Sequence, residues 1–338
     1  MKIIVDGMGG DNAPLQILKG CELAVNELNT DILVTGQIEV LKKTVKENGI
    51  NTNRISFIQA PEIITMEDDP ISVVKSKRNS SMGKAMDMLK NDEADAMVSA
   101  GNTGALLSGG TLIVKRIKGV KRAALGATLP TKTGYSIIMD SGATVDCRPE
   151  YLNQYAIMGY VYMKNMFHLD NPTVGLANNG TEECKGTELY IQTYNLLKKN
   201  KNINFIGNIE GRGVMLGDCR VVVADGFTGN LILKTCEGTA LYLLGQLKEM
   251  FTQNLTSKIA AVMLSKGIRT LKEKVDYKET GGAPLIGITK PIIKAHGSSD
   301  AKAVKNAIKQ AMTYAQSGII NEIAEVIATA KEGIIEDV

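Results

Sequence analysis

Short runs rich in Val, Ile and Ala alternate with stretches of helical periodicity along most of this 338-residue chain. Nearly continuous apolar runs are typical of parallel strands that helices cover on both faces. Regular alternation of such strands with helices predicts a doubly wound α/β/α sandwich. The predicted strands are Lys2–Asp6, Asp31–Thr35, Arg54–Gln59, Ala94–Ser99, Ala123–Thr128, Tyr135–Met139, Thr173–Ala177, Asn204–Gly207 and Arg220–Ala224.

Helical patterns occupy many intervals between these strands and most of the last third of the chain. The predicted helices are Pro14–Leu28, Ser72–Lys90, Gly104–Arg116, Tyr151–Phe167, Glu188–Lys199, Gly229 to about Leu271, and Asp300 to about Lys331. The strands Ala123–Thr128 and Tyr135–Met139 are joined by a short turn with Pro and Gly, which predicts a hairpin or arm. No internal repeat or low-complexity linker divides the sequence, so we expect one domain over residues 1–338.

The composition argues against several classes of protein and of binding site. Hydrophobic residues make up 44% and charged residues 22% of the chain, an ordinary globular mix, and the net charge of +3 is too small to indicate nucleic-acid binding. The five cysteines include no Cys-x-x-Cys pair, which favours a reducing cytoplasm. Only two histidines are present, so we expect no His-rich metal site. The longest fully apolar stretch, Ile259–Leu264, is far shorter than the roughly 20 residues of a membrane-spanning helix.

Polar, glycine-rich loops follow five of the predicted strands. They are Asp6–Pro14, Ser99–Ala105, Asp140–Cys147, Asn178–Gly186 and Asp225–Asn230. In open α/β sheets ligands bind outside the carboxyl ends of the strands, so these loops are expected to converge on one cleft. Glycine lets backbone N–H groups approach an anion, and a helix beginning directly afterwards adds its partial positive end. The residues predicted to bind phosphate are Gly9, Gly10, Asp11, Asn12, Asn102, Thr103, Gly104, His296 and Ser298.

Each loop taken alone could also be an ordinary turn between a strand and a helix. Asn12, for example, is a plausible cap for a helix that has Pro14 in its first turn. None of the loops has a G-x-G-x-x-G or Walker sequence, which counts against a dinucleotide or ATP. We therefore expect no cofactor.

A few polar side chains in or near these loops could act on a bound anion or a reacting carbonyl. Lys185 could neutralise a phosphate or the oxyanion of an attacked thioester, or it could be a solvated loop lysine. Asn230 could donate a hydrogen bond to the same oxygen, or cap the following helix. His296 could bind phosphate, act as an acid or base, or be structural. Cys184 has neither a His partner nor a helix start beside it, so we regard it as a bystander.

The segment from residue 248 to residue 278 is basic, amphipathic and predicted to be a helical tip. It contains seven basic and three acidic residues around the apolar run Ile259–Leu264. Basic amphipathic helices can lie on an anionic membrane or receive an acidic protein, and they can also pack against a core with a solvated basic face. The residues predicted to contact a membrane or an acidic partner protein are Lys258, Val262, Leu264, Lys266, Arg269 and Lys272.

Several blocks spread over nearly the whole chain resemble the PlsX family, the acyl-ACP:phosphate acyltransferases of bacterial phospholipid synthesis. They are Asp6–Pro14, Ser99–Ala105, Asp140–Cys147, Asn178–Gly186, Gly207–Arg212, Asp225–Asn230, Gly281–Leu285 and His296–Asp300. The resemblance implies a fold like that of phosphotransacetylase and of isocitrate or isopropylmalate dehydrogenase, and usually a homodimer. It also implies that Lys185 and Asn230 are catalytic.

The activity implied by this resemblance is transfer of a long-chain acyl group from acyl carrier protein to inorganic phosphate. The acyl phosphate would then serve a membrane glycerol-3-phosphate acyltransferase in phosphatidic acid synthesis. The resemblance further implies a cytoplasmic protein associated peripherally with the inner face of the cell membrane.

Three other functions remain open at the level of sequence. A phosphotransacetylase-like enzyme would use coenzyme A thioesters and would have no need of a basic patch for a carrier protein. A decarboxylating dehydrogenase would need clustered Asp ligands and a cofactor loop, neither of which is evident. A membrane scaffold that only docks acyl carrier protein would not need the polar loops.

Overall fold

The computed structural model describes residues 1–269 and 281–335, which form two β-sheets with helices packed on them. The strands are β1 (Lys2–Asp6), β2 (Asp31–Gly36), β3 (Ile55–Gln59), β4 (Ala96–Ser99), β5 (Ala124–Leu125), β6 (Ala127–Thr131), β7 (Gly134–Met139), β8 (Thr173–Asn178), β9 (Asn204–Glu210), β10 (Val221–Val223), β11 (Ala283–Ile286) and β12 (Ile292–Lys294).

The helices are α1 (Leu15–Leu28), α2 (Ile38–Asn48), α3 (Ser81–Lys90), α4 (Thr103–Gly109), α5 (Pro149–Phe167), α6 (Glu188–Lys199), α7 (Gly211–Leu216), α8 (Gly226–Thr252), α9 (Leu255–Met263), α10 (Ala301–Gln316) and α11 (Ile319–Ile335). A 3₁₀ turn covers Pro70–Val73 and a π-helical turn covers Gly110–Lys115. Residues 265–269 are also helical.

The first sheet has the strand order β3-β2-β1-β4-β12-β11-β5 and the second has the order β6-β7-β10-β8-β9. Strands β3, β2, β1, β4 and β12 run parallel, as do β7, β10, β8 and β9. The remaining strands pair antiparallel at one edge of each sheet. The prediction of a doubly wound α/β fold is confirmed, although it is built on two sheets.

Burial on both faces explains why the parallel strands are apolar at successive positions. Ile3, Ile4 and Val5 of β1 are all buried, and so are the three valines of β10. A strand exposed on one side would alternate polar and apolar residues, because successive side chains point to opposite faces. Helices α1 and α10 pack together on the first sheet, and α5 packs on the second.

The predicted strand Ala123–Thr128 is divided in two by Gly126, where the chain passes from the first sheet to the second. The Gly126 N–H donates to the Pro284 carbonyl at 2.9 Å, and a Cβ at this position would lie 2.7 Å from Ile137 Cδ1. The hairpin predicted next is confirmed, since β6 and β7 pair antiparallel.

The predicted helix Ser72–Lys90 is wrong in its first half. The chain makes the 3₁₀ turn at Pro70–Val73, and α3 begins only at Ser81. The Ser80 side chain accepts a hydrogen bond from the Gly83 N–H at 3.2 Å, which is the capping contact that starts a helix.

Two strands were not predicted. Both β11 and β12 are short and lie in a segment rich in Gly and Pro, where local pattern is weak. Nevertheless β12 occupies the middle of the first sheet, parallel to β4. Its last residue therefore lies at the same sheet edge as the loops that follow β1 and β4.

Candidate active site

A cleft of about 410 Å³ opens at the carboxyl ends of the parallel strands, between the two sheets. Thr103, Lys294 and His296 line it from the side of the first sheet. From the side of the second sheet it is lined by Thr128, Ser141, Gly142, Asn230 and Lys234. This is the place where ligands bind in open α/β sheets.

The loop after β1 is held against the loop after β12. The Asp11 N–H donates to the Gly297 carbonyl at 2.8 Å, and the Asn12 amide donates to the Ser298 carbonyl at 3.2 Å. The alternative that Asn12 caps a helix is wrong, because α1 has no side-chain cap and the Asn12 amide is used in this loop contact. Gly9 allows the same loop to approach the loop after β4, since a Cβ there would lie 2.7 Å from the Gly101 nitrogen.

Asn102 organises the loop after β4. Its Oδ1 accepts from the Ala105 N–H at 3.0 Å and so caps α4, while its amide donates to the Thr65 and Met66 carbonyls at 3.1 and 3.2 Å. Asn102 thus joins two loops, and Thr103 beside it lines the cleft. Phosphate binding by Asn102, Thr103 and Gly104 stays a prediction.

Asp140 shapes the loop after β7. Its carboxylate accepts backbone N–H groups from Leu125, Gly142, Ala143 and Thr144 at 2.7–3.2 Å. Burial raises the pKa of Asp140 to about 6, and these hydrogen bonds oppose the rise by stabilising the carboxylate. These hydrogen bonds hold the loop in one conformation, in which Ser141 and Gly142 line the cleft.

Asn230 lies in α8 and faces the cleft. The cap of this helix is Asp225, which accepts from the Phe227 and Thr228 N–H groups at 2.9 Å, so capping by Asn230 is ruled out. The Tyr190 hydroxyl also donates to Asp225 at 2.5 Å. Burial raises the pKa of Asp225, but these hydrogen bonds outweigh it and hold the pKa below its usual value.

His296 lines the opposite side of the cleft as an exposed imidazole. Its Nδ1 lies 2.8 Å from the Ser298 hydroxyl and accepts the Ser298 N–H at 3.2 Å. Because Nδ1 accepts, the neutral ring carries its proton on Nε2. Burial lowers the pKa of His296, and the nearby Lys234 cation lowers it further, so the ring is neutral at pH 7.

Two lysines in the cleft were not singled out from the sequence. Lys234 lies one turn beyond Asn230 in α8 and pairs with Glu237 at 2.8 Å. Lys294 ends β12, and only 9% of its surface is exposed. Burial lowers the pKa of Lys294 to about 8, although the Asp11 and Asp6 carboxylates oppose this. The available signal was a lysine directly after the apolar run Pro291–Ile293 and just before the block that contains His296.

Lys185 is not among the described residues that line the cleft. It lies in the loop after β8, with its Nζ 4.0 Å from a Glu182 carboxylate oxygen and its side chain 45% exposed. Strand β10 separates β8 from β7 in the second sheet. The structure therefore brings Asn230, His296 and Thr103 to one cleft but leaves Lys185 outside its walls.

The basic, apolar tip predicted near residues 248–278 is described through residue 269. Val262 and Leu264 are 74% and 54% exposed, and Lys258, Lys266 and Arg269 are exposed with them. Lys272 lies outside the described residues. Among the helices that can be described, none is both long enough and apolar enough to cross a membrane.

A substitution at Gly229 tests how closely α8 packs beside the cleft. A Cβ there would overlap the Asp140 carbonyl oxygen, a backbone atom that cannot turn away. We expect Gly229→Ala to lower the free energy of unfolding by about 3 kcal/mol, because the overlap forces α8 off β7. Urea unfolding followed by circular dichroism measures this.

Gly238, in the same helix, is the matched control. A Cβ there would meet no atom within 4 Å, so Gly238→Ala should be neutral or stabilising by up to about 1 kcal/mol. Equal stability of the two variants would contradict the close contact between α8 and Asp140.

Comparisons with known proteins agree with this geometry. The family described as "Fatty acid synthesis protein" matches residues 1–322. A protein of Thermoanaerobacterium thermosaccharolyticum named "Phosphate acyltransferase" is 47% identical over 323 residues, which cover 96% of each chain. One from Clostridioides difficile with the same name is 43% identical over 98% of each chain. The chain belongs to the PlsX family of phosphate acyltransferases. As a member of that family, it is an acyltransferase of fatty acid synthesis.

Solved structures support the fold of this PlsX chain. The EutD phosphotransacetylase of Staphylococcus aureus superposes with a TM-score of 0.61 at 15% identity, covering 94% of both chains. A phosphotransacetylase from Streptococcus pyogenes gives 0.60 at 15% identity, covering 97% of this chain and 94% of its own. The predicted phosphotransacetylase-like architecture is thereby confirmed.

Proposed function

We propose that this chain transfers a long-chain acyl group from acyl carrier protein to inorganic phosphate. The observation that carries the proposal is a single cleft in which Asn230 and His296, both able to donate hydrogen bonds, face each other beside two lysines. A phosphate oxygen attacks the thioester carbonyl, a C–O bond forms, the C–S bond breaks, and the carrier thiolate takes up the proton that the phosphate loses. Acyl phosphate and free carrier are the products.

Direct attack by phosphate needs no covalent intermediate on the enzyme. The protein's contribution is then to position the two reactants, worth about 7–11 kcal/mol, and to stabilise the oxyanion. In this scheme the Asn230 amide donates to the oxyanion, while the His296 Nε2–H and the loop N–H groups hold the phosphate. Lys185 is proposed to act on the thioester when the carrier protein is docked.

The acyl donor is proposed from the charge of the tip. Lys258, Lys266 and Arg269 are exposed beside apolar Val262 and Leu264, which suits an acidic carrier protein or an anionic lipid surface. A cytoplasmic enzyme held on the inner face of the membrane in this way could pass acyl phosphate to a membrane glycerol-3-phosphate acyltransferase for phospholipid synthesis.

A homodimer is proposed from the exposed apolar side of α8. Leu241, Tyr242 and Leu243 are each more than half exposed, and a groove of about 500 Å³ runs beside them. Exposed apolar surface of this extent usually marks a protein contact.

The decisive experiment incubates the purified chain with long-chain acyl carrier protein, with and without phosphate, and measures the release of free carrier. Phosphate-dependent release supports the proposal. A parallel reaction with acyl-coenzyme A tests the alternative donor. Release from coenzyme A alone would replace the carrier protein in the proposal, and no release from either thioester would refute acyl transfer.

Membrane contact by the tip predicts that Leu264→Glu weakens binding to anionic vesicles by about tenfold or more, since a charge replaces an apolar group at the interface. Turnover with soluble substrates should change little. Co-sedimentation with phosphatidylglycerol vesicles measures the effect. Asn48→Glu, which adds the same charge on exposed α2, is the control and should bind as the unmodified chain does. Unchanged co-sedimentation of Leu264→Glu would contradict a membrane role.

A further inference from the structure

Lys294 is a buried cation whose hydrogen bonds within the described residues go to backbone carbonyls. Its Nζ donates to the Ala295 carbonyl at 2.5 Å and to the Ala100 carbonyl at 3.4 Å. No carboxylate of the described residues lies within ion-pair distance of it. An ammonium group has three N–H donors, so one remains for another acceptor.

A buried ammonium without a carboxylate partner is costly, because the protein replaces its hydration incompletely. The Asp6 and Asp11 carboxylates attract it, but neither forms a contact with it. An anion that enters the cleft would supply the missing counter-charge. The cost of burying Lys294 is therefore offset most fully when an anion is bound.

The position of Lys294 matches that of a phosphate site. It pairs with Ser99 across the parallel strands β12 and β4, and the loop leading into α4 begins directly after Ser99. The Ala295 N–H donates to the Ser99 carbonyl at 2.9 Å, which locks the two strand ends together. The ammonium thus lies at the carboxyl ends of these parallel strands, the edge at which ligands bind in open α/β sheets.

The opposite wall has a second unsatisfied polar group. Thr128 in β6 is 7% exposed and lines the cleft, and its hydroxyl has no hydrogen-bond partner among the described residues. β6 lies next to β11, and Ala283 of β11 pairs with Lys294. A buried hydroxyl without a partner is uncommon, so Thr128 is an unexplained polar group in this wall of the cleft.

We propose that Lys294 binds the acceptor phosphate together with His296 and the loop N–H groups, its ammonium contacting a phosphate oxygen from beneath the cleft. This inference rests on the proposed function for the identity of the acceptor. It assigns phosphate binding to a residue of the cleft wall and leaves Lys185, outside that wall, to the thioester.

The experiment measures binding of inorganic phosphate alone by isothermal titration calorimetry, and phosphate saturation in the carrier-release assay. Lys294→Met removes the charge at similar length and is expected to weaken phosphate binding about 10- to 100-fold, the range for a hydrogen bond to a charged group. The phosphate KM should rise by a similar factor, with a smaller change in kcat. Lys294→Arg keeps the charge and should retain most of the affinity.

Thermal unfolding separates this role from a purely structural one. If Lys294 binds phosphate, a methionine in place of its buried charge should leave the melting temperature unchanged or raise it. If Lys294 mainly stabilises the fold, the same substitution should lower the melting temperature. Lys294→Gln keeps a donor for the carbonyls without the charge, and it should lose phosphate affinity as the methionine variant does. Lys290→Met is the control, because Lys290 is outside the cleft and pairs with Asp92.

Unchanged phosphate binding and KM in the methionine and glutamine variants would overturn the proposal. The proposal also fails if the arginine variant loses as much affinity as the other two, because the charge would then not be the cause. A failure of the proposed function would give a different experimental result. The chain would then bind phosphate through Lys294 but release no carrier from any thioester.

Discussion

Asn230→Ala is expected to lower kcat about 10²- to 10³-fold, the usual effect of removing one oxyanion donor. The amide lies in α8 and faces the cleft next to Gly142, and Asp225 rather than Asn230 caps the helix. Removing the amide should therefore cost little stability. Steady-state release of free carrier at saturating phosphate measures kcat.

The control for Asn230→Ala is Thr235→Ala, at an exposed position of the same helix outside the cleft. It should keep normal kcat and the same melting temperature. If Asn230→Ala raised only the phosphate KM, the amide would be a phosphate ligand instead of an oxyanion donor. Normal turnover would remove Asn230 from the mechanism.

Lys185→Ala is expected to lower kcat by about 10²-fold or more, if its ammonium stabilises charge that develops on the thioester oxygen. Stability should change by no more than about 0.5 kcal/mol, because the side chain is half exposed and its one carboxylate neighbour, Glu182, is 4.0 Å away. The same carrier-release assay and a thermal melt measure the two effects. Lys199→Ala, exposed at the end of α6, is the control.

The Lys185 and Lys294 variants should change different kinetic parameters. Lys185→Ala should lower kcat at saturating phosphate, whereas Lys294→Met should mainly raise the phosphate KM. Lys185 lies outside the cleft walls, so a catalytic role requires the docked carrier to bring the thioester to it. Normal turnover of Lys185→Ala would show that the residue is a solvated loop lysine.

Sequence reasoning placed most elements well, because parallel strands buried on both faces have an unmistakable apolar pattern. It failed where an element was too short to show a periodic pattern, or where one continuous pattern covered two separate elements. Three-residue β12 has too few residues to show a period. Ser72–Lys90 looked helical throughout, although the 3₁₀ turn ends at Val73 and α3 begins only after the Ser80 cap. The single run Ala123–Thr128 belongs to two sheets, which depends on the contact of Gly126 with Pro284, far away in sequence.

The expected convergence of five loops was only partly met. The loops after β1, β4, β7 and the start of α8 lie at or next to the cleft, but Lys185 in the loop after β8 does not line it. The carboxyl ends of parallel strands lie at the same edge of a sheet, so the sequence pattern is enough to predict that these loops lie along that edge. How far two loops lie from each other along that edge depends on strand order, which no local pattern encodes.

The sequence by itself determined the doubly wound α/β class and the family, because apolar runs, glycine-rich loops and motif blocks are local properties of the chain. Only the tertiary structure decided which polar groups share one cleft. Strand β12 enters the middle of the first sheet and places Lys294 beside the loops that are predicted to bind phosphate. The desolvation that makes this lysine a candidate anion site exists only once residues far apart in sequence have packed around it.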